Sequence, residues 1–251
     1  MNIRLKPCRF CGEVTAISSK SDAHRLLIAS ALSDRPTFIR CNARSADITA
    51  TVNCLNSLGA DIKFVDGGIS VKPIKEKRKS AVLDYNESGS TIRFLLPVAA
   101  SLGTNTEFTG GGRLPERPLS PLREQMEAHG VVFSPINVFP VKINGEMTSG
   151  EFTIKGNISS QFITGLLFAL PLLNGNSIIN VIPPVESRPY IDMTLNTLKK
   201  FGITVTEKSN SFFIPGGQKY ASPGTVESEG DWSNSAFFLT AGAVSGRVTV
   251  T

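Results

Sequence analysis

Two histidines, one tryptophan and three tyrosines are all that this 251-residue chain contains, and aromatic residues of every kind amount to 8%. So few rings leave little material for the stacking platforms of single-strand nucleic-acid binders. Charge of one sign is scarce as well. Lys and Arg number 26 against 21 Asp and Glu, a net charge of +5. Apart from the run KPIKEKRK at 72–79, the basic residues are scattered. That run lies between strand-like segments and reads as a solvated loop, so nucleic acid is not expected as a partner. The basic excess instead suits an anionic metabolite. No apolar run is long enough for a bilayer: the longest, 162–173, is short and contains Pro171. The opening MNIRLKPCRFCG has no apolar stretch of the secretory kind. A cytoplasmic protein with no membrane partner is expected. Cysteine is also sparse. Cys8 and Cys11 form one CxxC with no second ligand pair, so no metal is expected, and Cys41 and Cys54 read as small core residues. His24 and His129 fall within predicted helices, with no triad context, and read as packing or surface residues.

The sequence is rich in repetition. The segments 48–64 (ITATVNCLNSLGADIKF), 119–133 (LSPLREQMEAHGVVF) and 191–206 (IDMTLNTLKKFGITVT) each carry an amphipathic helix, a glycine and a β-like run. The glycines, Gly59, Gly130 and Gly202, recur about every 70 residues and are predicted C-caps in a left-handed conformation. A second, strongly apolar helix alternates with the first, at 20–33, 88–102 and 159–173, with a fourth start at 231–244. Arg25, Arg93 and Gln161 are evenly spaced, which predicts one polar residue at the same place in each copy. The fold class expected is α/β (α+β), with three complete repeated units over about 20–225.

Helices apolar nearly all round are buried, and a buried helix start leaves N–H groups without partners. Serines can cap some, and an anion can take the rest. The helices are predicted to open at Ser21, Ser90 and Ser160. If pseudo-symmetry points these starts at one region, Lys20, Ser21, Arg25, Arg93, Ser159, Ser160 and Gln161 surround a dipole-positive pocket. Two loops add to it. GGGRLPERP at 110–118 holds Arg113 and Arg117, and arginine's fork suits carboxylate or phosphate. ESRPYID at 186–192 brings Ser187, Arg188 and Tyr190 to a helix start, where the ring can cover a sugar-like ligand.

With these motifs in order (SKSDAHR at 19–25, ESGSTIR at 87–93, LPERP at 114–118, SSQ at 159–161, SRPYID at 187–192 and EGDWSNS at 229–235), the chain resembles the EPSP synthase, or 3-phosphoshikimate 1-carboxyvinyltransferase, family of enolpyruvyl transferases. The resemblance implies a two-domain fold of βαβαββ units. Residues 20–225 would be a complete three-repeat domain. Residues 1–19 would be an N-terminal strand of the incomplete other domain, and 226–251 its truncated start. It implies a reaction in which the 5-hydroxyl of shikimate 3-phosphate adds to C2 of phosphoenolpyruvate, C3 is protonated and phosphate leaves, without metal or organic cofactor. Lys20, Ser21, Arg25, Ser159, Ser160, Gln161, Ser187 and Tyr190 would hold shikimate 3-phosphate. Lys20, Gly89, Arg117 and Gln161 would hold phosphoenolpyruvate, with Lys20 also catalytic. Gly89 would leave room for glyphosate as an inhibitor of the full-length enzyme, which is expected to be a monomer.

Ile17 and Ser18 stand where the family often has Pro-Gly, and Glu87 where Asn is frequent. A carboxylate beside phosphoenolpyruvate calls for a partner, for which Arg93 and Arg117 are the candidates. The acidic and basic groups that complete catalysis in the family's second half have no counterpart here, so this chain alone is expected to bind but not to turn over. Two rivals remain: the sister transferase acting on UDP-N-acetylglucosamine, disfavoured because the 110–118 loop has no cysteine, and a non-catalytic anion-binding module.

Overall fold

The computed structural model describes Arg4, residues 8–135 and residues 139–251. The second and third units show one plan. In the second, β5 (Ser80–Asp84) leads through helix α3 (Gly89–Ser101) to β6 (Asn105–Thr109), then through α4 (Leu122–Ala128) to β7 (Val132–Ser134) and β8 (Val141–Asn144). In the third, β9 (Glu151–Lys155), α5 (Ser160–Ala169), β10 (Ser177–Ile182), α6 (Arg188–Lys200), β11 (Thr206–Lys208) and β12 (Ser211–Ile214) repeat it. Both sheets have the same order, β5-β6-β8-β7 and β9-β10-β12-β11. The first two strands of each are parallel and the rest antiparallel. The parallel pair needs a crossover, and the apolar helix supplies it.

The first unit holds α1 (Lys20–Ala31), β2 (Thr37–Arg40), α2 (Ala46–Ser57), β3 (Asp61–Val65) and β4 (Gly68–Lys72). Its parallel edge strand comes from the far end of the chain, where β13 (Thr225–Glu227) pairs with β2. The sheet order is β13-β2-β4-β3. The limit expected at about Thr225 falls on the first residue of β13. That strand pairs within the first unit's sheet. The strand expected within residues 1–19 is β1 (Cys11–Val14), which pairs in parallel with β14 (Arg247–Val250). Residues 1–3 and 5–7 lie outside the described ones. Helix α7 (Trp232–Ser245) packs on β14, where an added methyl at Gly242 would stand 3.0 Å from Val248 Cβ.

Strands such as β9 bury alternate residues, Phe152 and Ile154, and expose the others, so one sheet face is covered and the other is wet. Under the sheets α1, α3 and α5 form the core: Leu26, Leu27 and Ile28, Leu95 and Leu96, and Leu166 to Phe168 are fully buried. The predicted C-cap glycines Gly59, Gly130 and Gly202 have φ of +113°, +90° and +75°.

The contact between α3 and α5 rests on a proline. Pro97 lies inside α3 and has no N–H, so the Arg93 carbonyl four residues earlier has no helical partner. Gly165 of α5 packs against that carbonyl, and an added methyl there would collide with it.

The helix starts differ from the predicted ones. The caps are Ser19, Ser88 and Ser159, and the helices begin at Lys20, Gly89 and Ser160, where Ser21 and Ser90 had been predicted for the first two. Counted from these caps, Arg25, Arg93 and Gln161 occupy different positions, so the expected equivalence fails. Their even spacing in sequence does not match the helix starts, because the loops between units vary in length. Cys41 and Cys54 are core residues as expected, and burial pushes the Cys54 thiol up to about 12. No helix among the described residues is long and apolar enough to cross a membrane.

Candidate functional site

The starts of α1, α5, α6 and α7 open onto one cavity of about 550 Å³, a volume that suits a small-molecule ligand. Its walls include Lys20, Ser21, Arg25, Ser159, Ser160, Gln161, Ser187 and Tyr190, every residue assigned to the acceptor from sequence. Serine caps use one oxygen each: Ser19 accepts from Asp22 N and Ser159 from Gln161 N. The remaining first-turn N–H groups give the cavity a positive end.

Arg25 is the central cation. It is 2% exposed and donates to Thr194 Oγ1 at 2.9 Å, the Tyr190 carbonyl at 2.9 Å, the Ser21 carbonyl at 2.6 Å and Thr164 Oγ1 at 3.4 Å. The guanidinium lies 5.2 Å from the Phe94 ring centre and 5.9 Å from that of Tyr190. It forms no ion pair among the described residues. Burial lowers its pKa to about 10, which still leaves it charged at neutral pH. Asp22 and Glu229 favour its charged form through space without forming a close ion pair. A buried charge so partly compensated is costly, and an anionic ligand would relieve that cost.

Lys20, at the mouth, is aimed by Asp47 of α2, with Nζ 2.8 Å from Oδ2. Gln161 joins two units. Its Oε1 accepts from Arg93 Nη1 at 2.7 Å and its Nε2 donates to Ser90 Oγ at 2.9 Å. These two bonds fix which way its amide points. Ser187 adopts a left-handed conformation, φ 57° and ψ 35°, at the N-cap of α6, and its side chain caps nothing. A serine held there costs about 1–2 kcal/mol, and its hydroxyl remains available to a ligand.

The donor residues are gathered less completely. An added methyl on Gly89 would stand 3.4 Å from Arg93 Nη1 and 4.0 Å from Gln161 Oε1, so Gly89 borders the same polar corner. Arg117 lines a separate 260 Å³ hollow with Phe133, Phe139 and Val141. Its charge still reaches Arg93, whose pKa is lowered by burial first and by Arg117 second. Glu87 pairs with neither arginine: it is exposed, lies over Gly112, and forms no ion pair among the described residues. Arg188 turns from the cavity to bind Asp192 at 2.7 Å and Glu207 at 2.6 and 2.8 Å. Arg113 faces Glu116 at 4.0 Å.

Sequence reasoning gave no role to Phe94, Ile158, Asp231, Ser233 or Asn234, all of which line the cavity. For the last three the signal was available. Asp231 caps α7, accepting from Asn234 N, as Ser19 caps α1. The fourth helix start therefore marks the same kind of position. Among the described residues no group of three or more His, Cys, Asp or Glu could hold a metal ion. A 520 Å³ hollow elsewhere is lined by strand residues and the Lys142–Glu107 ion pair, and has no helix start in its wall.

Repeated βαβαββ units turn their helix starts toward one cavity, whose wall holds Lys20 and Arg25 against a single carboxylate, Asp231, and they define an α/β domain. The profile of the EPSP synthase (3-phosphoshikimate 1-carboxyvinyltransferase) family matches residues 6–251. A 3-phosphoshikimate 1-carboxyvinyltransferase of Brachyspira hyodysenteriae is 40% identical over 253 residues, covering 100% of this chain and 60% of that protein. One from Clostridium acetobutylicum is 40% identical over 254 residues, covering 98% and 59%. The solved EPSP synthase of Acinetobacter baumannii shares the fold with a TM-score of 0.82 at 22% identity, over 96% of this chain and 55% of that one. The chain belongs to the EPSP synthase family. It spans 58–60% of the length of the curated relatives it matches.

Proposed function

We propose that the 550 Å³ cavity is the shikimate 3-phosphate site of an enzyme that transfers the enolpyruvyl group of phosphoenolpyruvate to that acceptor. The observation that carries this reading is Arg25, a buried cation with no carboxylate at ion-pair distance among the described residues, set among converging helix starts. Its guanidinium and the first-turn N–H groups suit the 3-phosphate. Tyr190 offers a ring face to the carbocycle, and Ser187, Ser159, Ser160 and Ser21 offer hydroxyls to its polar rim. Lys20 and Gln161 sit on the border toward Gly89, where the second anion would lie.

The reaction places two anions side by side, and fixed positive groups lower the cost of that approach. The acceptor 5-oxygen bonds to C2 of phosphoenolpyruvate, its proton leaves, and C3 gains one. The C2–O bond to phosphate then breaks as C3 gives up a proton, which restores the C2=C3 double bond in the enolpyruvyl product. Lys20, oriented by Asp47, is the residue of this chain suited to proton transfer. Arg117 would join phosphoenolpyruvate only by swinging from its own hollow toward Arg93.

Thermal-shift titration with shikimate 3-phosphate against UDP-N-acetylglucosamine tests the acceptor class. Stabilisation by the first alone is expected, and by the second alone would reassign the site. Phosphate release by this chain is expected not to exceed that of its Lys20→Ala form. In an enzyme completed with the remainder of a family member, glyphosate should inhibit, and Gly89→Ala should weaken inhibition. The added methyl meets the fold only at ordinary contact distance, so its effect should fall on the ligand.

A further inference from the structure

Helix α1 sends two adjacent side chains into two interfaces. Arg25 reaches α5 and α6, whereas His24 turns toward α2 and α3. His24 Nδ1 lies 2.7 Å from Thr51 Oγ1, Thr51 Oγ1 lies 2.7 Å from Thr91 Oγ1, and Thr91 Oγ1 donates to Ser88 Oγ at 2.7 Å. The four residues are 1% exposed or less.

A hydroxyl has one hydrogen to give. That of Thr91 is committed to Ser88, so Thr51 must donate in its contact with Thr91. Thr51 then has no hydrogen left for His24, and the remaining contact requires a hydrogen on His24 Nδ1. Burial lowers the His24 pKa to about 3, so the ring is neutral at physiological pH and carries a single N–H. His24 Nε2 is left as a buried acceptor with no partner, its ring set edge-on to Phe94 at 6.4 Å.

We propose that His24, as the Nδ1–H tautomer, is a positioning residue that directs a hydroxyl relay through Thr51 and Thr91 to the cap of α3. The relay ends where the site begins. Ser88 Oγ also accepts from Thr91 N at 3.3 Å. The next residues, Gly89 and Ser90, form the first turn of α3, and Ser90 Oγ accepts from Gln161 Nε2. The relay therefore sets the orientation of Gln161 on the border between the two anion positions. On the other side of α1 Thr194 donates to the Tyr190 carbonyl, so Thr164 must donate to Thr194 at 3.0 Å while both accept from Arg25. Adjacent residues of one helix thus tie both neighbouring helix pairs to α1 with hydrogen bonds of defined direction.

Side-chain ¹⁵N NMR of the ligand-free chain tests this without reference to any substrate, so its failure is separable from failure of the shikimate 3-phosphate reading. With the His24 signals assigned by their loss in His24→Asn, the expected spectrum has a protonated Nδ1 and an unprotonated Nε2 at neutral pH. Thr51→Val should shift the Gly89 and Ser90 amides and speed hydrogen exchange at Thr91 about fivefold, the size of one lost neutral hydrogen bond. Thr51→Ser should restore both. An Nε2–H tautomer would overturn the relay, as would Gly89, Ser90 and Thr91 amides unmoved by Thr51→Val. If Thr51→Val does not fold, the tautomer of the unaltered chain decides alone.

Discussion

Acid should destabilise this fold through His24. The folded ring has a pKa lowered to about 3 from 6.5, because burial penalises the imidazolium. For a group whose folded value is depressed, the stabilising contribution is present above the unfolded value and is lost as pH falls through the window from 6.5 to 3. Each unit within it is worth about 1.4 kcal/mol. Between about pH 7.5 and about pH 4.5 the loss from this residue alone is about 3 kcal/mol, a large share of a domain's 5–15 kcal/mol. Asp22 and Glu229 act in the opposite sense. Burial raises both, so their contribution is present below the ordinary carboxylate values and is lost as pH rises through the folded ones. The variant His24→Asn separates the two, since it removes the imidazole, keeps an N–H for Thr51 and leaves both acids in place. Urea unfolding of both proteins across this pH range is the assay. The unaltered chain should lose about 3 kcal/mol more than the variant on acidification. Parallel curves would refute a neutral, buried His24.

Gly165→Ala should destabilise by about 1–3 kcal/mol despite the better helix former, because the methyl meets the Arg93 carbonyl and stands 3.1 Å from Pro97 Cγ. Denaturant midpoints check this, and an unchanged midpoint would mean that α3 and α5 can part freely. Asp22→Asn should gain stability relative to the unaltered chain as pH rises, since the amide still accepts from Glu229 N and sheds the cost of a buried charge. A gain seen only in acid would contradict that sign. Asp47→Ala removes the 2.8 Å partner of Lys20. Since the pair is partly exposed, stability should change by less than about 1 kcal/mol, while affinity for an anion in the cavity changes measurably. Unfolding and titration of the same samples would separate the two effects.

Much of the cavity was legible because its parts are local. Serines at the head of the apolar runs cap α1, α3 and α5, at Ser19, Ser88 and Ser159, and Gly59, Gly130 and Gly202 follow the alternating helices α2, α4 and α6 with positive φ. What the sequence hid depends on distant partners. β13 is a three-residue strand whose pairing partner, β2, lies near the other end of the chain. Thr51, Thr91, Thr164 and Thr194 are buried within their helices, and nothing local marks them, yet their hydroxyls carry hydrogen bonds that tie α1 and its neighbours together. Arg117 and Arg188 lie in motifs that match the family. The direction in which each side chain leaves the backbone is set by its local surroundings, an apolar hollow for Arg117 and Glu207 with Asp192 for Arg188. The even sequence spacing of Arg25, Arg93 and Gln161 misled because unequal loops shift the helix starts.

The most direct test is a calorimetric titration of the chain with shikimate 3-phosphate, with shikimate as the control ligand and Arg25→Ala as the control protein. Saturable binding that requires the 3-phosphate and disappears in Arg25→Ala is the predicted result. Equal binding of shikimate, or affinity unchanged without Arg25, would contradict a phosphate site built around that buried guanidinium.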